Sequence, residues 1–229
     1  MPVVLYLVLH MLTPSKQKRS VSDTGPGVMR RPFFAGFTAW LFALGCALTC
    51  STVMGQPSTF AIWKGDDMVG KVFVDRRTSG DRTHYSMNSR SKVMVLWPQH
   101  IRTAMSTEYV AGRLAACHTA VCVNDEVRDS SSMRTQGTKV VGYLHPGRVV
   151  PAASANSWTT ARMYYEEPLG QTAIYVESVL RDCALAKVGA GIYELTLPDG
   201  HVNRYVYRNG VLHEIQVDRL FFDLVFRRV

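Results

Sequence analysis

The C-terminal third of the chain alternates apolar and polar residues in short runs that are separated by turn residues. The runs cover residues 191–197, 201–207 and 211–217, and the turns are Pro198-Asp199-Gly200 and Arg208-Asn209-Gly210. Alternation with period two predicts strands that have one buried face. The pair Asn-Gly is a strong hairpin signal because both central residues of a type I′ turn need positive φ. This third is therefore predicted to be an antiparallel meander.

The register of the meander follows from its tightest turn. A two-residue turn at Asn209-Gly210 pairs Tyr207 with Leu212 and places His213 opposite Val206. Strands that are joined by such short turns run antiparallel, because parallel neighbours need a much longer crossover. The sheet is therefore predicted to be antiparallel.

The same alternation extends over most of the chain upstream and to its end. Strands are predicted over residues 60–63, 68–76, 83–95, 101–110, 113–123, 126–135, 138–145 and 220–228, which gives ten to twelve in all. Residues 149–162 lack the alternation and are predicted to be a linking loop with a helical turn. So many antiparallel strands must curl to hide their edges. The predicted fold class is all-β: a single antiparallel, strongly curved sheet or half-barrel with an apolar concave side.

A different apolar run, residues 33–45, follows Arg30 and Arg31 near the N-terminus. A basic start, a short apolar core and a cleavage site at Val53-Met54-Gly55, with small Gly55 at the cut and Val53 tolerated two residues before it, form the pattern of an export signal. We expect a signal peptide over residues 29–55, an over-extended N-terminus over residues 1–28 and a single β domain over residues 56–229. The Sec route is preferred to the twin-arginine route because the sequence has no cofactor motif.

This segment predicts the compartment. The run is shorter than the roughly 20 residues that a helix needs to cross a bilayer, so we expect cleavage and no transmembrane span in the mature chain. The protein is then exported to the periplasm or outer envelope of a bacterium. A lipid-anchored form at Cys46 is a weaker alternative, because Leu44 and Gly45 stand in the wrong order for a lipobox.

Cleavage also changes the charge and the cysteine count. Removal of residues 1–55 takes five basic residues and one acidic residue, and it lowers the formal net charge from +8 to +4. An excess this small, scattered through strands, does not form a phosphate-binding stripe, so no nucleic acid is expected as a partner. Cys117, Cys122 and Cys183 remain, and an oxidising compartment permits one disulfide among them with the pairing left open.

Glu166 and Glu167 are the candidate catalytic residues, since glycosidases need two carboxylates. Adjacent residues on a strand face opposite ways, so these two are not expected to act on one bond together. The histidines show no metal-ligand spacing, and neither a P-loop, a dinucleotide fingerprint nor a Gly-x-Ser-x-Gly motif occurs. We expect no metal and no cofactor, and the sequence favours a protein that is not an enzyme.

Several short motifs resemble one known family. They are Gly70 with Val72, the run from Tyr165 to Pro168, Leu197-Pro198-Asp199-Gly200, and Asn203, Tyr205, Tyr207, Asn209 and Gly210. In these the chain resembles a family of exported bacterial proteins that is classed as a domain of unknown function, number 6134. The resemblance implies a β fold over nearly all of the mature chain, and it implies no catalytic residue.

Three functions are compatible with these features. The first is a non-enzymatic cell-envelope binding module whose curved sheet holds an apolar or amphipathic ligand on its concave side. Its candidate ligand-binding residues are Trp63, Trp97, Trp158, Tyr164 and Tyr165. The second is an envelope hydrolase that acts on glycoside or ester bonds through Glu166 or Glu167, and the third is an envelope scaffold or interaction protein. No pattern predicts the oligomeric state.

Overall fold

The computed structural model describes residues 55–94, 97–136, 139–151, 158–218 and 223–229. The predicted signal peptide, the predicted over-extended N-terminus and Cys46 therefore lie outside the described residues. Within those ranges, no helix has the length and apolarity that crossing a membrane would require.

Strands make up most of the described chain. They are β1 (Ser58–Lys64), β2 (Asp67–Ser79), β3 (Arg82–Met94), β4 (Pro98–Val110), β5 (Arg113–Val123), β6 (Glu126–Gln136), β7 (Lys139–Leu144), β8 (Arg148–Pro151), β9 (Ala173–Val176), β10 (Arg181–Gly189), β11 (Ile192–Thr196), β12 (Val202–Arg208), β13 (Val211–Val217) and β14 (Leu224–Arg228). One short helix, α1 (Thr160–Met163), precedes β9.

These strands form a single open antiparallel sheet in the order β8-β7-β6-β5-β4-β3-β2-β1-β14-β13-β12-β11-β10-β9. The predicted all-β class and the antiparallel sheet are confirmed. The predicted count of ten to twelve is wrong, because fourteen strands are present in the described part. The additional strands are β8, β9 and β10. Two of them have only four residues, which is too short for alternation to be recognised, and three of the four residues of β8 lie inside the predicted loop.

The register prediction at Asn209-Gly210 is correct at the turn and wrong beyond it. Tyr207 pairs with Leu212, as predicted, and Asn209 and Gly210 have φ of 52° and 75°. The register then shifts, so that Val206 pairs with Glu214 and His213 has no direct partner. A β-bulge of this kind inserts one extra residue, which turn geometry does not predict.

The buried residues lie on one face of the sheet. On β3, β4 and β5 they fall on alternate positions, for example Tyr85, Met105 and Val121. This face packs with that of β10 to β14 into one core, which includes Leu195 and Phe226. Contact between distant strands of one sheet requires strong curvature. The sheet therefore curls round its own core.

Residues 158–170, which we call the plug, fill one end of this curled sheet. Tyrosine hydroxyl groups from the sheet hold it in place. Tyr109 on β4 donates to the hydroxyl oxygen of Thr159 at 3.0 Å, and Tyr207 on β12 donates to the carbonyl oxygen of Met163 at 2.6 Å. Phe60 packs edge-on against Tyr164 with ring centroids 5.4 Å apart. The interior beside the plug is therefore filled by side chains.

Candidate functional site

Glu166 lies in the plug and is bound on several sides. Its Oε1 pairs with Arg76 of β2 at 3.4 Å and accepts a hydrogen bond from Tyr85 of β3 at 3.4 Å. Its Oε2 pairs with Arg162 at 2.7 Å. A carboxylate with two guanidinium partners and a phenol is occupied in joining the plug to the sheet. These contacts support a structural use for Glu166.

Glu167 has a separate partner on the opposite side of the plug. Its Oε1 accepts a hydrogen bond from Tyr193 of β11 at 2.8 Å. Burial raises the pKa of Tyr193, and the neighbouring carboxylate adds to this, to about 12. Neither glutamate lies on a strand, contrary to the assumption behind the sequence prediction. The two side chains nevertheless bind different strands.

Glu177 is a buried acid that the sequence analysis did not single out. Its side chain is fully buried in the turn after β9. Oε1 accepts hydrogen bonds from the Thr107 hydroxyl of β4 at 3.1 Å and from the Ala161 backbone N–H at 3.1 Å, and Oε2 accepts one from the Thr160 hydroxyl. None of the ion pairs among the described residues involves Glu177. Buried polar groups are tolerated when hydrogen-bonded, and these bonds join α1, β4 and β9.

The charge of Glu177 affects its neighbours. Burial raises the pKa of the Cys117 thiol well above its usual range, and the nearby Glu177 carboxylate raises it further. Burial likewise raises the pKa of Tyr164 strongly, with smaller contributions from Tyr205 and Glu177. A thiol and a phenol held neutral in this way are poor nucleophiles or bases. The hydrogen-bonded groups around Glu177 therefore have a structural role.

The five aromatic residues expected to bind a ligand are dispersed. Trp97 is 61% exposed at the tip between β3 and β4, whereas Trp63 on β1 is half-buried. Trp158 packs beneath the Arg162 guanidinium, 4.2 Å from the ring centroid. Tyr164 is fully buried and Tyr165 packs against Tyr85, with ring centroids 5.7 Å apart. The structure does not bring these side chains together into one site.

The three cysteines of the β domain are free thiols. Cys117 lies on the inner face of β5, and Cys183 is also buried, on β10. Cys122 is half-exposed. The disulfide that the sequence left open is therefore not formed. Five residues along a strand place Cys117 and Cys122 on opposite faces, which explains why these two do not pair.

One cleft lies where the two ends of the sheet face each other, and we call it the seam cleft. Its volume is about 310 Å³. The wall from β6, β7 and β8 consists of Asp129, Leu144, His145 and Arg148. The wall from the β9–β10 turn, β10 and the β11–β12 turn consists of Ser178, Val179, Arg181, Leu197, Pro198 and Asp199. Contact across the seam is made nearby, where the Ser131 hydroxyl of β6 donates to the carbonyl oxygen of Glu177 at 2.6 Å.

The charged side chains of the seam cleft differ in whether they have a bonding partner among the described residues. Asp199 Oδ1 accepts a hydrogen bond from the His201 backbone N–H at 3.1 Å. Asp129 takes part in a contact of its own. Arg148 and Arg181 are exposed, and neither has an ion pair within the described ranges. Four of the ten lining residues are apolar, namely Leu144, Val179, Leu197 and Pro198. Small-molecule sites are typically more apolar than this, and the volume is at the small end of their range.

A second groove of about 440 Å³ crosses the outer face of β3 to β7. Ser106, His118 and Ser132 lie side by side across β4, β5 and β6 in the sheet register. Among the described residues, no hydrogen bond joins the His118 ring to either serine, so no nucleophile–base pair is formed. Glu108 beside them pairs with Arg82 at 2.6 Å. In the described part, no group of three or more His, Cys, Asp or Glu side chains could hold a metal ion.

Comparison with known proteins adds a family and a distant structural likeness. Residues 60–229 match the family described as "Domain of unknown function (DUF6134)". A similar solved structure is the crystal structure of a beta-barrel-like protein of domain of unknown function DUF1849 from Brucella abortus. It has 14% sequence identity and a TM-score of 0.48, and the match covers 77% of this chain and 96% of the other. No curated protein matches the chain.

Proposed function

Because the chain belongs to the DUF6134 family, as its sequence motifs predicted, and the description of that family names no activity, we propose a function from the geometry. The protein is a non-enzymatic binding module that holds a small apolar or amphipathic molecule in the seam cleft. The observation that carries this proposal is a cleft of about 310 Å³ that combines apolar side chains with two arginines, Arg148 and Arg181, which form no ion pair within the described residues. The predicted signal peptide at residues 29–55 supports a location in the periplasm or outer envelope.

The seam cleft is better suited to a ligand than the concave face of the sheet, where the sequence led us to expect one. The largest fully buried side chains include Tyr164, Tyr175, Tyr193 and Tyr205, and all of them belong to the core. Their rings fill the interior. A ligand there would have to displace well-packed aromatic groups.

The hydrolase alternative has no support in the contacts of its two candidate residues. Glu166 forms ion pairs with Arg76 and Arg162, and Glu167 accepts a hydrogen bond from the Tyr193 hydroxyl. The scaffold alternative rests on a specific observation. Val141, Tyr143 and Val149 expose 47%, 39% and 71% of their surface on β7 and β8, near the free end of the sheet.

The binding proposal can be tested by narrowing the seam cleft. Purified protein is titrated calorimetrically with single-chain amphiphiles and simple alcohols, and the ligands that bind are tested again on the variants Val179→Trp and Leu144→Trp. Each variant places an indole in one wall and should weaken binding by at least about tenfold, which corresponds to about 1.4 kcal/mol. The matched control Val188→Trp lies on β10 outside the cleft and should bind as wild type does.

Turnover is measured on the same samples with glycoside and ester substrates. Equal affinity in wild type and in both wall variants would exclude the seam cleft as the site. Robust turnover that is lost in the double variant Glu166→Gln, Glu167→Gln would replace the binding function with a hydrolase.

A further inference from the structure

We propose, on the basis of the proposed function, that the ligand of the seam cleft is an amphiphile with an anionic head group, bound between Arg148 and Arg181. These residues reach the cleft from opposite ends of the sheet. Arg148 begins β8, the strand at one end, and Arg181 begins β10, next to the strand at the other end. Both line the same cleft.

The two guanidinium groups differ from several other arginines of the sheet and the plug in their lack of an ion pair among the described residues. Seven ion pairs occur among the described residues, and they use other arginines of the sheet and the plug. Within the described ranges, neither Arg148 nor Arg181 forms an ion pair, although Asp129 and Asp199 line the same cleft. An arginine offers a planar set of donors that matches a carboxylate or a phosphate. Two such groups facing one cleft favour an anion.

Part of the cleft wall beside the two arginines is apolar. Leu144, Val179 and Leu197 provide apolar surface beside the arginines. The cleft therefore suits a molecule with one charged end and one apolar end. His145 supplies a third potential donor on the Arg148 side.

The two aspartates restrict where the head group lies. The Asp199 carboxylate is held in its own turn by the His201 backbone N–H, 3.1 Å from Oδ1. A ligand anion is repelled from both carboxylates and attracted to the two guanidinium groups. The two arginines and two aspartates of the cleft sum to a net formal charge close to zero. The preference for an anionic head group therefore depends on where these charges lie and not on their sum.

Such a ligand would also act on the fold. β8 and β9 are the free ends of the sheet. A head group bound by both arginines joins β8, at one free end, to β10, next to the other free end, and a ligand that binds only the folded protein raises its stability. We expect a larger rise in melting temperature from an anionic amphiphile than from a neutral one of the same chain length.

The test uses octyl phosphate, octyl glucoside and inorganic phosphate as probes, with affinity measured calorimetrically and melting temperature measured in parallel. The variants are Arg148→Gln and Arg181→Gln, and the matched control is Arg204→Gln. Arg204 is exposed on β12, forms no ion pair with any residue that the structure describes, and does not line the cleft. All three substitutions remove one positive charge.

We expect wild type to bind octyl phosphate at least about tenfold more tightly than octyl glucoside or inorganic phosphate. Each cleft variant should lose at least about tenfold for octyl phosphate and nothing for octyl glucoside, whereas Arg204→Gln should bind like wild type. Added salt should weaken binding of octyl phosphate only.

Three other outcomes would contradict these expectations. Equal binding of octyl phosphate and octyl glucoside, unchanged by the arginine variants, would overturn the anionic head group and leave the binding function standing. If inorganic phosphate binds as tightly as octyl phosphate, the cleft is a plain anion site. That result would overturn the proposal that the ligand is an amphiphile. Binding of neither amphiphile would overturn both proposals.

Discussion

The Glu177 carboxylate and the Thr107 hydroxyl are hydrogen-bonded at 3.1 Å, and both side chains are buried. Thr107 is on β4, near the middle of one half of the sheet, and Glu177 follows β9 at the far end of the other half. This bond therefore spans the interior of the curled sheet. It is one of the contacts that hold the two ends close enough to form the seam cleft.

Replacement of Glu177 by Ala should destabilise the protein strongly. The variant leaves the Thr107 and Thr160 hydroxyls and the Ala161 N–H buried without their acceptor. We expect the free energy of unfolding to fall by about 3 kcal/mol or more, and Glu177→Gln to cause a smaller loss because one acceptor remains. Urea denaturation measures both. The control Glu126→Gln removes an exposed carboxylate and should change stability by less than about 0.5 kcal/mol; an equal effect of Glu177→Ala would contradict this role.

The Asn209-Gly210 turn gives a second prediction. Gly210 has φ of 75°, and an added Cβ would meet no atom within 4 Å. Any loss on substitution is therefore due to backbone strain. Gly210→Val should lower the free energy of unfolding by more than about 1 kcal/mol, and Gly210→Asn should lose much less because Asn tolerates positive φ. Chemical denaturation of wild type and of the two variants checks this. Equal midpoints in all three proteins would show that backbone strain at this turn is unimportant.

The Glu214 carboxylate predicts a pH dependence. Burial acts to raise its pKa, but hydrogen bonds from Gln216 and Arg227 outweigh it and lower the pKa below the ordinary 4.5. The folded state therefore favours the ionised form. This contributes stability above about pH 4.5, and the contribution is lost as the pH falls through the lowered value.

The corresponding variant is Glu214→Gln. Wild type should be more stable by about 0.5 to 1 kcal/mol near neutral pH, and the difference should shrink in acid. Denaturant unfolding across an acid series measures it, and Glu126→Gln serves as the exposed control. A difference that stays constant with pH would mean that ionisation of Glu214 is not the cause.

The three thiols of the β domain should differ in reactivity. Cys117 and Cys183 are buried, and burial raises the pKa of Cys183 to about 11. The thiolate is the reactive form, so iodoacetamide should modify half-exposed Cys122 more than about tenfold faster than the other two. Peptide mass spectrometry of the native protein measures each site, and Cys122→Ser removes the fast reaction. Labelling of Cys117 as fast as Cys122 would contradict the burial.

Local sequence patterns predicted the strands that have clear alternation and tight turns. Alternation puts every second side chain on one face, and positive φ at Asn209 and Gly210 is a property of the turn itself. The family was likewise recognisable from short motifs. The strands that escaped prediction were the short β8 and β9 and the neighbouring β10, where little or no alternation is visible.

The tertiary structure determined which partners each acidic side chain binds. Glu166 and Glu167 look alike in the sequence, but Arg76 and Tyr85 reach one and Tyr193 reaches the other. Glu177 stands after an apolar run and carries no motif, so its role depends on Thr107, 70 residues away.

By itself, the sequence determined the all-β class, the antiparallel strands, the tight turns and the family. Each of these depends on residues that are close together in the chain. The tertiary structure decided the number of strands, the filled interior and the seam cleft. The cleft exists because the sheet curls until its two ends face each other, and it brings Arg148 and Arg181 to one site. Such a site depends on the curvature summed over all the strands between them, which no local pattern contains.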